Sequence, residues 1–271
     1  MAYFRDLFTP RLHSAFWAKT ALHLLTPGGF GHIRKLRAGK DARYDHERDK
    51  HEVRKKHHGD GGWKDGHDDG IRKRDYASYE EYVTHQKLKL DEMVKLKGGF
   101  TNFDIFDYRL KFYTRFRRLA DHLPPDARIL CCGARQGTEV EVLRDLGFSK
   151  AEGIDLNPGP DNPLVRQGDM MKLDAAGDSL DLIYTNCVDH AFDLDAMLKE
   201  HSRALKPGGF LLYDIGTNME AGGGPFEAIS WEQSEEVVVR MMGTFRTLVH
   251  VERDPQWLWV LVKDKKKQPD S

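Results

Sequence analysis

Two neighbouring segments carry the residues best suited to chemistry. In Ile129-Leu-Cys-Cys-Gly-Ala-Arg-Gln-Gly-Thr-Glu139 and Ala151-Glu-Gly-Ile-Asp155, glycines and a carboxylate stand at the spacing of a nucleotide site. The pattern predicts a buried strand, a glycine turn, a helix starting near Thr138, and a second strand whose carboxyl end bears Asp155. Gly133 and Gly137 would let the backbone pass close to an adenosine-type ligand, and the Asp155 carboxylate would accept hydrogen bonds from both ribose hydroxyls. Past a later strand, His190, with Asp189 as partner or alternative, is the side chain suited to act as a general base on an acceptor hydroxyl. The alternative is a packed or ligand-contacting histidine.

The glycine spacing bears on which nucleotide is expected. A dinucleotide fingerprint needs glycines at the first, third and sixth positions, and here those places hold Gly133, Arg135 and Thr138. The pyrophosphate turn is missing. A ligand with ribose and adenine but no phosphate fits better, and S-adenosylmethionine belongs to that class.

The elements that position these residues alternate along the chain. After Asp155 come a short strand at 164–167 ending in Gly168-Asp169, a strand at 180–186, a helix at 195–205, the turn Lys206-Pro-Gly-Gly209 and a strand at 210–214. Strand, helix, strand at this spacing predicts a parallel sheet with right-handed crossovers. A helix near 234–242 and two apolar runs, 245–251 and 257–262, then predict an antiparallel hairpin closing one edge. The expected fold class is α/β, a Rossmann-like doubly wound sheet, mostly parallel with a C-terminal antiparallel hairpin, preceded by a helical extension.

Upstream, Ser78-Tyr-Glu-Glu81 is a capping-box pattern opening a helix with Tyr79 and Tyr82 on its apolar side. An amphipathic run from Phe103 to Leu123 leads through Pro124-Pro125 into the strand at Ile129. Near the N-terminus, Leu12, Ala15, Phe16, Leu22 and Leu25 recur at helical spacing from Thr9-Pro10 until Thr26-Pro-Gly-Gly29, expected to stop the run. That helix is expected to pack on the main domain or on a second subunit as a homodimer. Trp17 and the basic stretch 34–40 keep attachment to a membrane surface open. Residues 41–74 read as a mobile, charge-rich linker. We divide the chain into a basic, partly helical and partly flexible extension (1–75), capping helices (76–128), the core domain (129–264) and a disordered tail (265–271).

Composition narrows the classes further. The 271 residues carry a net charge of -1 and 39% hydrophobic residues, enough for one sizeable core. No apolar run is long enough to span a membrane and the first turn carries Arg5 and Asp6, so a cytoplasmic protein without a signal peptide is expected. Cys131, Cys132 and Cys187 lie in apolar strand-like segments and are expected to be reduced core thiols. His46, His51, His57, His58 and His67 with their neighbouring aspartates lack the fixed placement of a metal site, and no metal is expected. Charge is uneven: residues 1–128 hold 27 Lys and Arg against 19 Asp and Glu, the remainder 15 against 24. The basic half is either a solvated extension or a surface for an acidic partner such as a nucleic acid, an anionic glycan or a membrane.

Together these residues resemble class I S-adenosylmethionine-dependent methyltransferases, in particular the methyltransferase type 11 group, over about residues 105–263. The resemblance rests on Cys132-Gly-Ala-Arg-Gln-Gly137, Gly153-Ile-Asp-Leu156, Gly168-Asp-Met170, Asp181-Leu-Ile-Tyr-Thr-Asn-Cys-Val-Asp-His190 and Arg203-Ala-Leu-Lys-Pro-Gly-Gly-Phe210, in family order. It implies that backbone at Cys132, Gly133 and Ala134 faces the methionine part of S-adenosylmethionine, with Asp155 on the ribose and Asp169 on the adenine amino group. Leu156 and Met170 would flank the ring, and Asn186 and Cys187 would line the side near the methyl. Cys131 stands where the family often has an acid and Arg135 where it has a glycine. Arg135 could pair with the methionine carboxylate or with an acid of the substrate lid.

The activity this implies is methyl transfer to an O or N acceptor on a small molecule or glycan by in-line displacement. The acceptor pocket would lie at the carboxyl ends of the strands, walled by Tyr79, Tyr82 and the segment 214–226, with Ala221-Gly-Gly-Gly-Pro225 as a flexible lid. Two alternatives stand beside it: an RNA or protein methyltransferase docking its substrate on the basic half, and a non-catalytic scaffold that keeps the fold.

Overall fold

The computed structural model describes residues 14–37, 70–97, 102–217, 226–254 and 256–264. The expected linker histidines and the glycine lid at 221–225 lie outside these residues, as does the tail.

The extension begins with α1 (Ser14–Leu24) and α2 (Pro27–Arg37). Thr26-Pro-Gly-Gly29 does not end the helical region, as the sequence suggested, but restarts it. The Thr26 hydroxyl accepts the Gly29 amide at 3.3 Å and Pro27 takes the first helical position, where its missing N–H costs nothing. Next come β1 (Ile71–Lys73), α3 (Tyr79–Lys97) and α4 (Asn102–Phe116). Strand β1 corrects the reading of 41–74 as linker throughout: it pairs antiparallel with β7 (Ile229–Trp231) in a separate two-stranded ribbon. Three residues give no periodicity to read, and the pairing is set by the distant partner.

The core follows as β2 (Ile129–Cys132), α5 (Thr138–Asp145), β3 (Ala151–Asp155), β4 (Val165–Gln167), β5 (Leu180–Thr185), α6 (Leu194–Ala204), β6 (Leu205–Gly216), β7, α7 (Ser234–Thr244), β8 (Thr247–Arg253) and β9 (Trp257–Lys263). The main sheet runs β4-β3-β2-β5-β6-β9-β8. Strands β4 to β6 pair in parallel, while β9 pairs antiparallel with both β6 and β8. This is the expected mostly parallel doubly wound sheet with a terminal hairpin at one edge. Strand β6 is longer than anticipated because the Lys206-Pro-Gly-Gly209 turn is absorbed into it.

Alternation along β2 sends successive side chains to opposite faces. Leu130 and Cys132 join the core under α6 and α7, with Met197, Leu198, Val237 and Met241. Ile129 and Cys131 join the core under α1, α4 and α5, with Phe16, Phe112, Val140 and Leu143. Burial raises both thiols well above the ordinary cysteine range, consistent with inert packing. The extension is anchored by Arg109 of α4, which is fully buried and donates to Thr20 at 2.9 Å, Glu141 at 2.5 Å and Asp145 at 2.6 Å. Phe16 stacks on Tyr113 at 4.6 Å beneath the same guanidinium.

Candidate functional site

The parallel strands end together: Cys132 lies opposite Ile154 on one side and Thr185 on the other. Beyond these carboxyl ends lies an open crevice of about 580 Å³ lined by Tyr82, Gln86, Gly133, Arg135, Asp155, Leu156, Asn157, Gly168, Met170, Cys187 and His190.

One wall is the turn after β2. Gly133 has φ +69°, and a Cβ there would stand 2.1 Å from the Cys187 sulfur, so glycine is required by the neighbouring turn as well as by the crevice. Gly137 has φ +82° and caps the start of α5, where Leu164 and Val165 would block a Cβ. It serves helix packing and is not among the crevice residues. Between them Arg135 holds φ +43°, so the backbone keeps the left-handed conformation although the sequence supplies no glycine. Asn162 fastens this turn: its amide donates to the Arg135 carbonyl at 2.9 Å, and its oxygen accepts the amides of Leu164 and Val165.

Asp155 closes β3 with both oxygens aimed by backbone amides. Oδ2 accepts from Arg135 N at 3.0 Å and Oδ1 from Asn157 N at 2.8 Å. Each carboxylate oxygen can accept a further hydrogen bond. Asp169 is held similarly, with Met171 N on Oδ1 at 2.8 Å and the Tyr79 hydroxyl on Oδ2. Burial, and then that hydrogen bond, raise the Tyr79 phenol, so it stays a donor at neutral pH.

Helix α3 roofs the crevice. Its start is the expected capping arrangement, with Glu81 N donating to Ser78 Oγ and Glu81 Oε2 accepting from Ala77 N. Tyr82 donates to the His190 carbonyl at 2.9 Å and Gln86 to the Phe226 carbonyl at 2.8 Å. Tyr76, Tyr79, Tyr82 and Phe192 form an aromatic cluster behind this roof, with centroid separations of 5.2 to 6.2 Å.

His190 sits in the short 3-10 turn after β5. Its Nδ1 lies 2.8 Å from the Phe226 carbonyl, which can only accept, so Nδ1 carries the proton and Nε2 is the acceptor whenever the ring is neutral. Asp189 Oδ2 lies 3.7 Å from Nε2. At the base of the same turn the Thr185 hydroxyl donates to the Cys132 carbonyl at 3.0 Å and accepts the Cys187 amide, joining the ends of β2 and β5.

Of the residues singled out from sequence, Tyr82, Gly133, Arg135, Asp155, Leu156, Met170, Cys187 and His190 meet in the crevice. Cys132 and Ala134 are buried beneath it, and Asp169 and Asn186 lie beside it on the loops after β4 and β5. Gly168 belongs to the Gly168-Asp-Met170 motif, whereas Gln86 and Asn157 carry no sequence signal that would have selected them. Glu139 was also missed. It lies in the first turn of α5, 4% exposed, within electrostatic reach of Cys131, Arg135 and Asp155. Burial pushes its carboxyl up to about 8 against the opposing pull of its own backbone amide and Arg135. An acid therefore stands close to Cys131, where the family pattern has one in the strand itself.

Sheet order, terminal hairpin and crevice at the strand ends are those of a Rossmann-like methyltransferase fold. Residues 130–213 match the family described as a methyltransferase domain. The 1,6-didemethyltoxoflavin-N1-methyltransferase of Burkholderia thailandensis, whose structure holds its substrate and S-adenosylhomocysteine, superposes with a TM-score of 0.57 at 17% identity. That alignment covers 74% of this chain and 97% of the other, a likeness of fold. The PH0226 protein from Pyrococcus horikoshii aligns with a TM-score of 0.49 at 17% identity over 64% of this chain and 99% of its own. No curated protein sequence matches the chain.

Proposed function

We propose that the crevice binds S-adenosylmethionine and that the enzyme methylates an oxygen or nitrogen of a small molecule or glycan. The residues present fit the cofactor: Asp155 offers both ribose hydroxyls a carboxylate already oriented by two amides. Leu156 and Met170 offer apolar faces to the adenine, and Asp169 Oδ2 can share its second lone pair with the adenine amino group beside Tyr79. Backbone at Cys132, Gly133 and Ala134 faces the methionine part, with Arg135 at the mouth. Asn186 and Cys187 flank the methyl. The bound cofactor supplies an electrophilic methyl group on a sulfonium and leaves neutral.

The chain's own task is then alignment, which can supply about 7 to 11 kcal/mol of barrier reduction. His190 Nε2 takes the proton of a hydroxyl acceptor, its ring fixed by the Phe226 carbonyl and Asp189 nearby. The reading of the acceptor as small rests on one observation: Tyr82, Gln86 and His190 line the same crevice as Asp155, under a roof tied down by side-chain hydrogen bonds.

Transfer of labelled methyl groups into size-fractionated cell extract tests this. Label should enter the low-mass or glycan fraction and be insensitive to moderate salt. Label in RNA or protein, falling steeply as salt rises, would instead support docking of an acidic macromolecule on the basic half.

A further inference from the structure

The extension has an outer surface that the fold does not use. Helix α1 already buries its inner side, with Phe16 and Thr20 inaccessible against α4 and α5. Yet its outer side is also apolar: Ala15, Ala18 and Ala21 are exposed, Leu22 is 61% exposed, and at the corner into α2 Leu25 and Phe30 are 67% and 60% exposed. A helix apolar on both sides is one that is covered on both. The corner is stiff, because Gly29 packs so closely on the end of α1 that a Cβ would meet the His23 carbonyl at 2.3 Å.

Charge identifies the cover. From residue 7 to residue 40 the chain contains six Lys and Arg and no Asp or Glu, in a protein whose net charge is -1. Among these bases Arg34 is exposed on α2. Apolar side chains at this corner, in a stretch of sequence that carries bases and no acid, match a surface that offers hydrocarbon beneath negative charge. A nucleic acid would match the charge and leave the leucines and phenylalanine wet. No helix among the described residues is long and apolar enough to cross a membrane, so contact would be with one leaflet.

We propose that the α1–α2 corner docks the enzyme on an anionic lipid bilayer, with Leu22, Leu25 and Phe30 entering the interface and Arg34 facing the headgroups. The full chain is to be sedimented with phosphatidylcholine vesicles and with vesicles that also contain phosphatidylglycerol, at low and high salt. Binding should need the anionic lipid and weaken with salt. Leu25→Glu with Phe30→Glu should weaken it at least about tenfold, and Arg34→Glu about fivefold or more, with thermal unfolding and S-adenosylhomocysteine binding unchanged because these side chains face solvent. Leu25→Ser with Phe30→Ser repeats the test should the charged pair fail to fold. Absence of binding, binding indifferent to these substitutions, or a corner-dependent dimer or RNA complex in place of vesicle binding overturns the proposal.

Discussion

Replacing Gly133 by Ala tests the geometry of the crevice wall, and its cost divides into two separable parts. At φ +69° an L side chain carries about 1–2 kcal/mol of left-handed strain. The new Cβ would also stand 2.1 Å from Cys187 Sγ, an overlap that displaces the sulfur from its contacts with Thr185 and Met170 and adds about 1–3 kcal/mol. The Cys187 Cβ, at 3.6 Å, is in ordinary contact. Cys187→Ala therefore removes the overlap and leaves the strain. In a cycle of four proteins unfolded by urea, Gly133→Ala should cost about 2–5 kcal/mol in the native background and about 1–2 kcal/mol in the Cys187→Ala background. An equal cost in both backgrounds would refute the close approach of the turns after β2 and β5, on which the shape of the site depends.

Two buried groups give opposite pH dependences. Glu139, raised to about 8 from an ordinary 4.5, holds its proton more tightly folded than unfolded, so its contribution is complete below about pH 4.5 and is lost as pH rises towards 8. Glu139→Gln should flatten that slope, seen as a smaller fall in urea midpoint between pH 5 and 8. His201, lowered to about 4 by burial, donates to the Met170 carbonyl from Nε2 and accepts from Tyr213 at Nδ1. Its neutral form is favoured on folding, so stability should fall from about pH 6.5 towards 4, by about 3 kcal/mol at most; a His201→Gln protein should lack that limb. Arg109→Met leaves Asp145 with Lys19 alone in a nearly closed site, and should lose about 3–5 kcal/mol in urea melts while exposing α1 and α2 to protease. His190→Asn can keep the bond to the Phe226 carbonyl while deleting Nε2. With a hydroxyl acceptor, kcat should fall about 10²- to 10⁴-fold at unchanged S-adenosylhomocysteine affinity, and a fall under tenfold would assign His190 to packing.

Strands β2 and β3 were legible because each is an apolar run followed by a glycine or ending on an acid, at Cys132-Gly133 and Ile154-Asp155. The hairpin was legible from two apolar runs joined by Glu252-Arg-Asp-Pro255. The restart at Thr26-Pro27 was not, because one dipeptide serves both as a stop and as an N-cap with proline at the first turn. Strands β1 and β7 escaped because three residues have no period. Within the site, type and spacing selected Asp155 and His190, and capping chemistry selected the helix bearing Tyr79 and Tyr82. Gln86, Asn157 and Asn162 act through bonds to distant backbone, which spacing does not encode. Gly137 has a packing reason that spacing does not reveal, because Leu164 and Val165 would block a Cβ there.

The most direct test of the central claim is calorimetric titration of S-adenosylhomocysteine into the native protein, Asp155→Ala and Asp155→Asn, with NAD as control and circular dichroism to verify folding. The account predicts one saturable site in the native protein, no response to NAD, affinity reduced about a hundredfold in Asp155→Ala through loss of two charge-assisted hydrogen bonds, and a smaller reduction in Asp155→Asn. No binding, or binding that folded Asp155→Ala retains in full, would contradict it.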